Sequence, residues 1–262
     1  MATVAHPRYN AVLDAGAYDG TDYTLPAFQA GYDVFAFEMA PDNQVRVVRT
    51  LEAAGLREGA DYTVVRPVPG ERPAPPPRAA RRPHVYLFFA GVSSENAGVR
   101  VRDNTVVSAP PMLEIDGACH DEGDSLCVPV VRIDDVVPEW ARLWVFKLDV
   151  QGHEPQALAG SSMLLASRRV RTLAMEWWPS GMLQQGTPDG GIAALEALYA
   201  LGARCFDLGS NDYNPALGMG IERASSIAGY TAALLAVPHA PRPSGDPIGG
   251  WDDLLCDMPL YA

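Results

Sequence analysis

The chain has 262 residues, with 20 Lys+Arg against 32 Asp+Glu and a formal net charge of −12. Hydrophobic residues make up 48%, which is enough for a full core and excludes global disorder. The acidic balance leaves no basic face for a nucleic-acid backbone or an anionic membrane surface, and no apolar run reaches the roughly 18 residues of a membrane span. The opening residues MATVAHPRYN carry no signal-peptide apolar stretch. A cytoplasmic protein is expected, built as a single domain over 1–262.

Tyr9 to Leu13 reads as a short buried strand. It runs into Asp14-Ala-Gly16-Ala-Tyr18-Asp-Gly20, a turn with two glycines, and then a helix from Thr24 to Ala30 with Thr24 as N-cap. Asp33 to Phe37 is a second apolar strand ending in Glu38. A helix over 41–54 follows, with Val45, Val48, Leu51 and Ala54 on one face. Strand, glycine turn, helix and strand with a terminal acid make a right-handed βαβ unit with a parallel sheet.

Residues 67–83 (PVPGERPAPPPRAARRP) then break the pattern with seven prolines and four arginines. This insertion reads as extended, exposed and mobile, either an anion-attracting lid or a loop expansion. Val85 to Phe89 is a third strand, and Ala90 to Ser93 its turn. Val99 to Val101 and Thr105 to Val107 suggest a small hairpin. The loop CHDEGDSLC from Cys119 to Cys127 lies within a second insertion, 102–130, and is either a solvated acidic loop or a disulfide or metal loop. Val131 to Val137 reads as a strand edge and turn. Leu143 to Leu148 is a buried strand ending in Asp149. A helix over 154–167, a strand over 172–175 ending in Glu176, a helix over 191–201, and strands over 204–208 and 232–237 complete the pass.

In open α/β sheets ligands bind outside the carboxyl ends of the strands, so the polar residues there form the site list. Gly16 and Gly20 permit close approach of a ligand to the backbone. Glu38, at the tip of the second strand, suits the two hydroxyls of a ribose. The dinucleotide fingerprint G-x-G-x-x-G is absent, and so is the Gly-Lys-Ser/Thr of a P-loop. A ligand with a ribose and no phosphate fits best, which points to S-adenosylmethionine, with Asp14 facing its ammonium group. Asp149 ends the fourth strand at the methionyl end of that ligand. His153, beside it, is the candidate general base with a suitable pKa. Lys147 is the sole lysine and is expected to pair with Glu154 or Glu176. Trp177 and Trp178 leave the next strand, and one of them is expected to stand at the cleft mouth as an aromatic platform. Asp149 and Glu176 could hold a divalent cation, but no third acid is evident and no metal site is assigned.

The segments DAGAYDGTDYTLPAFQAGYDVFAFEMAPDN, VRIDDVV, LWVFKLDVQGHEPQALAGS and LAMEWWP together resemble the signatures of FkbM-type S-adenosylmethionine-dependent methyltransferases. Ile133, Asp134 and Asp135, then Lys147, Asp149, Gly152 and Glu154, stand at the second signature. The resemblance covers roughly 12–238. It implies a class I, Rossmann-like α/β fold: a seven-stranded, mostly parallel sheet with helices on both faces and the last strand antiparallel. It implies S-adenosylmethionine held by Asp14, Gly16, Ala17, Tyr18, Gly20, Glu38, Met39, Val92, Ser93 and Asp149, with the adenine ring on Val92 and Ser93. His153, Asp149 and Glu176 are the catalytic candidates. The implied reaction is O-methylation of a small metabolite or glycan. Tyr18 departs from the Asn common at its place. The rival readings are an NAD-type oxidoreductase on a similar sheet and a methyltransferase fold that binds cofactor without chemistry.

Overall fold

The computed structural model of the chain describes residues 9–102, 114–116, 125–208, 227–236 and 251–259. The first βαβ unit forms as the pattern dictates. Strand β1 (Ala11–Ala15) is buried throughout, helix α1 is Thr24–Gln29, strand β2 is Asp33–Phe37 and helix α2 is Pro41–Ala53. Alternation sorts the β2 side chains between two layers. Val34 and Ala36 meet Val47 and Leu51 of α2 on one face. Phe35 and Phe37 enter the larger core on the other.

Beyond α2 come β3 (Tyr62–Val65), β4 (Val85–Phe88), β5 (Gly91–Val92), β6 (Ala97–Arg102), β7 (Glu114–Asp116) and β8 (Ser125–Val131). Helix α3 (Ile133–Val136) leads to β9 (Leu143–Leu148), α4 (Glu154–Ala159), α5 (Ser162–Ala166) and β10 (Val170–Trp177). The chain continues with α6 (Pro179–Gln184), α7 (Ile192–Ala200), β11 (Arg204–Asp207), α8 (Ile227–Leu235) and β12 (Asp252–Asp257).

Among the described residues the main sheet has eight strands, in the order β11-β12-β10-β9-β1-β2-β4-β3, not the expected seven. The extra strand is β3, which adds parallel to β4 at the edge. Strand β12 is antiparallel, as expected of the last strand, and lies between β10 and β11. A second sheet, β5-β8-β6-β7, rises from the end of β4. The larger core stacks Phe37 on Phe88 with centroids 4.6 Å apart. It draws Ile133 and Val136 of α3, Ala157 of α4, Leu164 of α5, Leu195 of α7 and Leu234 of α8 onto the same face. Each of the larger aliphatic side chains among them contributes about 1.5–3 kcal/mol when fully buried.

The Pro/Arg insertion has no helix or strand and is largely exposed, as expected, but it is tied to the body at several points. It connects two parallel strands without a crossover helix, and its Ala79 packs on the larger core. The Tyr86 hydroxyl accepts from Ala79 N at 2.7 Å and lies 3.2 Å from Pro77 O. Arg82 Nε donates to Asp33 Oδ2 at 2.7 Å, Arg81 pairs with Asp61 at 3.2 Å and Arg72 with Asp135 at 2.7 Å. Arg78 lies 5.0 Å over the Trp140 ring. Asp33 and Asp61 stand at or just before strand starts, so Arg81 and Arg82 serve the end of the sheet opposite the strand carboxyl ends, while Arg72 ties to α3.

Other expectations need correction. The helix expected over 154–167 is two helices. Gly160 breaks it where the chain touches the second sheet: a Cβ there would lie 1.9 Å from Ser93 O. The new helix α5 is capped from a distance, since Asp134 accepts from Met163 N at 3.0 Å and Leu164 N at 2.8 Å. Residues 133–136 are helical, not a strand edge. Of the strand expected over 232–237, residues 232–235 are the end of helix α8, whose apolar run has no period to separate the two states. The Thr105–Val107 arm of the hairpin lies outside the described residues, as does most of the Cys119 loop, although Cys127 is disulfide-bonded. An unanticipated disulfide joins Cys205 and Cys256, directly opposed residues of β11 and β12. Among the described residues no helix is long and apolar enough to cross a membrane.

Candidate active site

The carboxyl ends of β1, β2, β9 and β10 converge. The turn after β1 folds over the end of β2: Gly16 N and Ala17 N both donate to Phe37 O, at 3.0 and 2.9 Å. Gly16 has φ +84, and a Cβ there would sit 1.9 Å from the Asp149 carbonyl oxygen. Glycine is required because the turn packs on the end of β9. Gly20, at φ +78, closes the turn toward Val47 and Thr24, while Ala17 is buried in the smaller core.

Glu38 lies beneath this turn. Its Oε2 accepts from Tyr18 N at 2.8 Å and its Oε1 from Ala40 N at 2.8 Å. Burial pushes the carboxyl up to about 7, against the pull of those two amides. The Asn43 side chain adds a third hydrogen bond to the carboxylate, so a ligand hydroxyl would take the lone pair that remains. Gln44, which the sequence did not single out, secures the next peptide by donating to Glu38 O and Met39 O at 3.1 and 3.2 Å. Met39 packs on Gly91, where a Cβ would meet its sulfur at 3.4 Å. Tyr18 holds φ 53, and its hydroxyl accepts from Arg46 at 3.0 Å.

Lys147 sits below the same turn. Its ammonium donates to Gly16 O at 2.5 Å and faces Asp14 Oδ1 at 3.5 Å and Asp149 Oδ2 at 3.6 Å. Burial alone would lower its pKa, but Asp14 and Asp149 outweigh burial and hold it above the usual lysine value. The partners are therefore Asp14 and Asp149, not Glu154 or Glu176. Asp14 is 1% exposed and accepts from Thr24 Oγ1 at 2.6 Å. Thr24 is the first residue of α1, not its cap. Asp14 is turned toward Lys147 and Thr24, so it offers no surface to a ligand ammonium in this state. Tyr23, also missed in the sequence, covers Lys147 with its ring centroid 5.9 Å from the ammonium.

The side chain of Asp149 is 39% exposed and faces the cleft. Gln151 joins it to Glu176: the amide donates to Asp149 Oδ1 at 2.7 Å and to Glu176 Oε2 at 2.9 Å. Opposite Glu176 in the β10–β12 ladder stands Asp253, a third acid brought in by a strand the sequence reading lacked. Among the described residues no group of three metal-ligating side chains has the geometry of a metal site.

The remaining candidates point inward. His153 is 7% exposed, and its Nε2 lies 3.1 Å from Ser93 Oγ. Burial lowers its pKa to about 4, and its Nδ1 is buried without a partner. It is a neutral interior imidazole, not a base poised near pH 7. Val92 and Ser93, expected under the adenine ring, are buried in the unliganded chain, Val92 in the core and Ser93 against His153. Val92 belongs to β5 of the second sheet and Ser93 follows it directly, its N–H donating to Val131 O. Glu154 is fully buried, its Oε1 accepting from Val150 N at 2.9 Å, and burial pushes its carboxyl up to about 8. Both tryptophans are buried too, Trp177 against Gly191 and Trp178 over Gly181, so neither forms the expected platform.

No protein-family model and no curated protein matches this chain. Among solved structures, the chain resembles the methyltransferase FkbM from Methylobacillus flagellatus KT, with a TM-score of 0.47 and 12% identity. The match covers 96% of this chain and 44% of that one, so the chain spans less than half the length of its structural neighbour.

Proposed function

We propose that the chain is an S-adenosylmethionine-dependent methyltransferase that methylates a hydroxyl of a small metabolite or glycan. One observation carries the reading: a buried carboxylate at the tip of β2, pinned by the Tyr18 N–H of a glycine turn. That pair offers a ribose hydroxyl an acceptor beside an exposed backbone turn. The charges around the turn favour this ligand over a dinucleotide. Two carboxylates, Asp14 and Asp149, face the single ammonium of Lys147. A pyrophosphate would meet repulsion there, whereas a sulfonium would meet attraction.

Exposed Tyr18 and half-buried Met39 flank the buried Glu38 toward the nucleoside, and half-buried Asp149, Gln151 and Glu176 lie toward the acceptor. Bound S-adenosylmethionine supplies an activated methyl group. This chain's own task is to orient the acceptor oxygen in line with it and to receive the hydroxyl proton. Asp149 is the better-exposed group for that proton, and His153 supports the loop from behind. An acceptor screen with methyl-labelled S-adenosylmethionine tests the activity. Label transferred to sugars or hydroxylated metabolites supports it. Cofactor binding with no transfer to any acceptor would favour the binding-only rival.

A further inference from the structure

Gln151 has φ 55, a backbone conformation that costs a non-glycine residue energy. It precedes Gly152, which also has a positive φ and would clash with Gly181 backbone if it carried a Cβ. The turn is thus forced tight by α6 packing on Gly152, and one consequence is the placement of the Gln151 amide. Its nitrogen lies 2.7 Å from Asp149 Oδ1 and 2.9 Å from Glu176 Oε2. Carboxylates only accept hydrogen bonds, so the NH2 end must face them and each N–H serves one acid. Both are charge-assisted bonds.

We propose that Gln151 is a positioning residue: its amide bridges the Asp149 and Glu176 carboxylates and holds them together at the acceptor end of the cleft, in the place a divalent cation would take between two acids. The inference concerns the acceptor end of the site and rests on the methyltransferase reading only for its purpose. The surrounding charges fit a bridge of this kind. Lys147 approaches the other oxygen of Asp149 at 3.6 Å, Asp253 stands across the ladder from Glu176, and Glu154 is buried behind the loop. Without the amide, the two carboxylate oxygens it now engages would be open to another bridging group, such as a divalent cation.

The test is calorimetric titration with manganese chloride of the wild type, Gln151→Gly and Gln151→Met. Glycine adopts this backbone at less cost than glutamine, and methionine keeps the volume without the donors, so the pair guards against a folding artefact. Both variants are expected to bind Mn2+ about tenfold more tightly than the wild type or better, the scale of one lost charge-assisted bond. Equal affinity in all three proteins, or tight Mn2+ binding by the wild type itself, would overturn the proposal. A parallel titration with S-adenosylhomocysteine separates the two claims. If it binds none of the proteins while the variants gain Mn2+, the methyltransferase reading fails and the bridge stands. If it binds all three equally and no variant gains Mn2+, the reverse holds.

Discussion

The ionisation of Glu38 gives the sharpest test of the nucleoside end of the site. Its carboxyl is pushed up to about 7 by burial, although two backbone amides oppose the shift. A ribose hydroxyl donating to the carboxylate favours the ionised form, so bound cofactor must pull this pKa down. Binding then releases a proton below about pH 7. If the bound pKa falls below 6, affinity for S-adenosylhomocysteine drops about tenfold between pH 8 and pH 6. Glu38→Gln removes this titration. It also sets an NH2 group against either the Tyr18 or the Ala40 N–H, each now 2.8 Å from a carboxylate oxygen. One buried donor loses its acceptor, at a cost of about 1–3 kcal/mol. Calorimetry at pH 6, 7 and 8 in buffers of different ionisation enthalpy reads both the affinity and the proton release. The stability of the free protein carries the opposite sign. A carboxyl raised from 4.5 to about 7 keeps the fold's proton, so stability declines as pH rises from 4.5 to 7 and levels off above. Affinity that is flat from pH 6 to pH 8 in the wild type would refute the reasoning.

Three further outcomes follow from named contacts. Gly16→Ala forces a Cβ to within 1.9 Å of the Asp149 carbonyl at φ +84; it should destabilise the fold by roughly 3 kcal/mol or more in urea unfolding, and an unchanged midpoint would show that the turn does not pack on β9. His153→Ala should leave turnover well short of the about 10²–10⁴-fold loss expected for a general base. With its pKa lowered from 6.5 to about 4, stability that depends on the neutral ring is full above pH 6.5 and declines toward pH 4, and the variant should flatten that limb in acid titration. Lys147→Met leaves Asp14 buried without its counter-ion and should cost about 3–5 kcal/mol; a thermal midpoint equal to the wild type would contradict that pairing.

Legibility in the sequence followed the range of the interaction. The β1–β2 unit was readable because its signals are local: alternating apolar residues, two turn glycines and a terminal acid. Glu38 came with it. The inward turn of His153 was not readable, because its partner Ser93 is 60 positions away and belongs to a sheet that forms only with β8. Asp14 read as a ligand group for the same reason: its partners Thr24 and Lys147 arrive from a helix and a strand on either side. Strand β12 escaped notice because acids bracket it and half of its alternation is only partly buried. Pairing with β10 and β11 makes it a strand, and that pairing is also what sets Asp253 opposite Glu176. Gln151 stands between Asp149 and Gly152 in the sequence with nothing to mark a role. Its role depends on a positive φ, which a glutamine does not advertise.

The most direct measurement is a side-by-side calorimetric titration of the intact chain with S-adenosylhomocysteine and with NADH. The account predicts micromolar-range binding of the first, on the order of −8 kcal/mol, lost in large part in Glu38→Ala, and no heat from the second. Saturable binding of NADH with none of S-adenosylhomocysteine, or affinity for the latter untouched in Glu38→Ala, would contradict it.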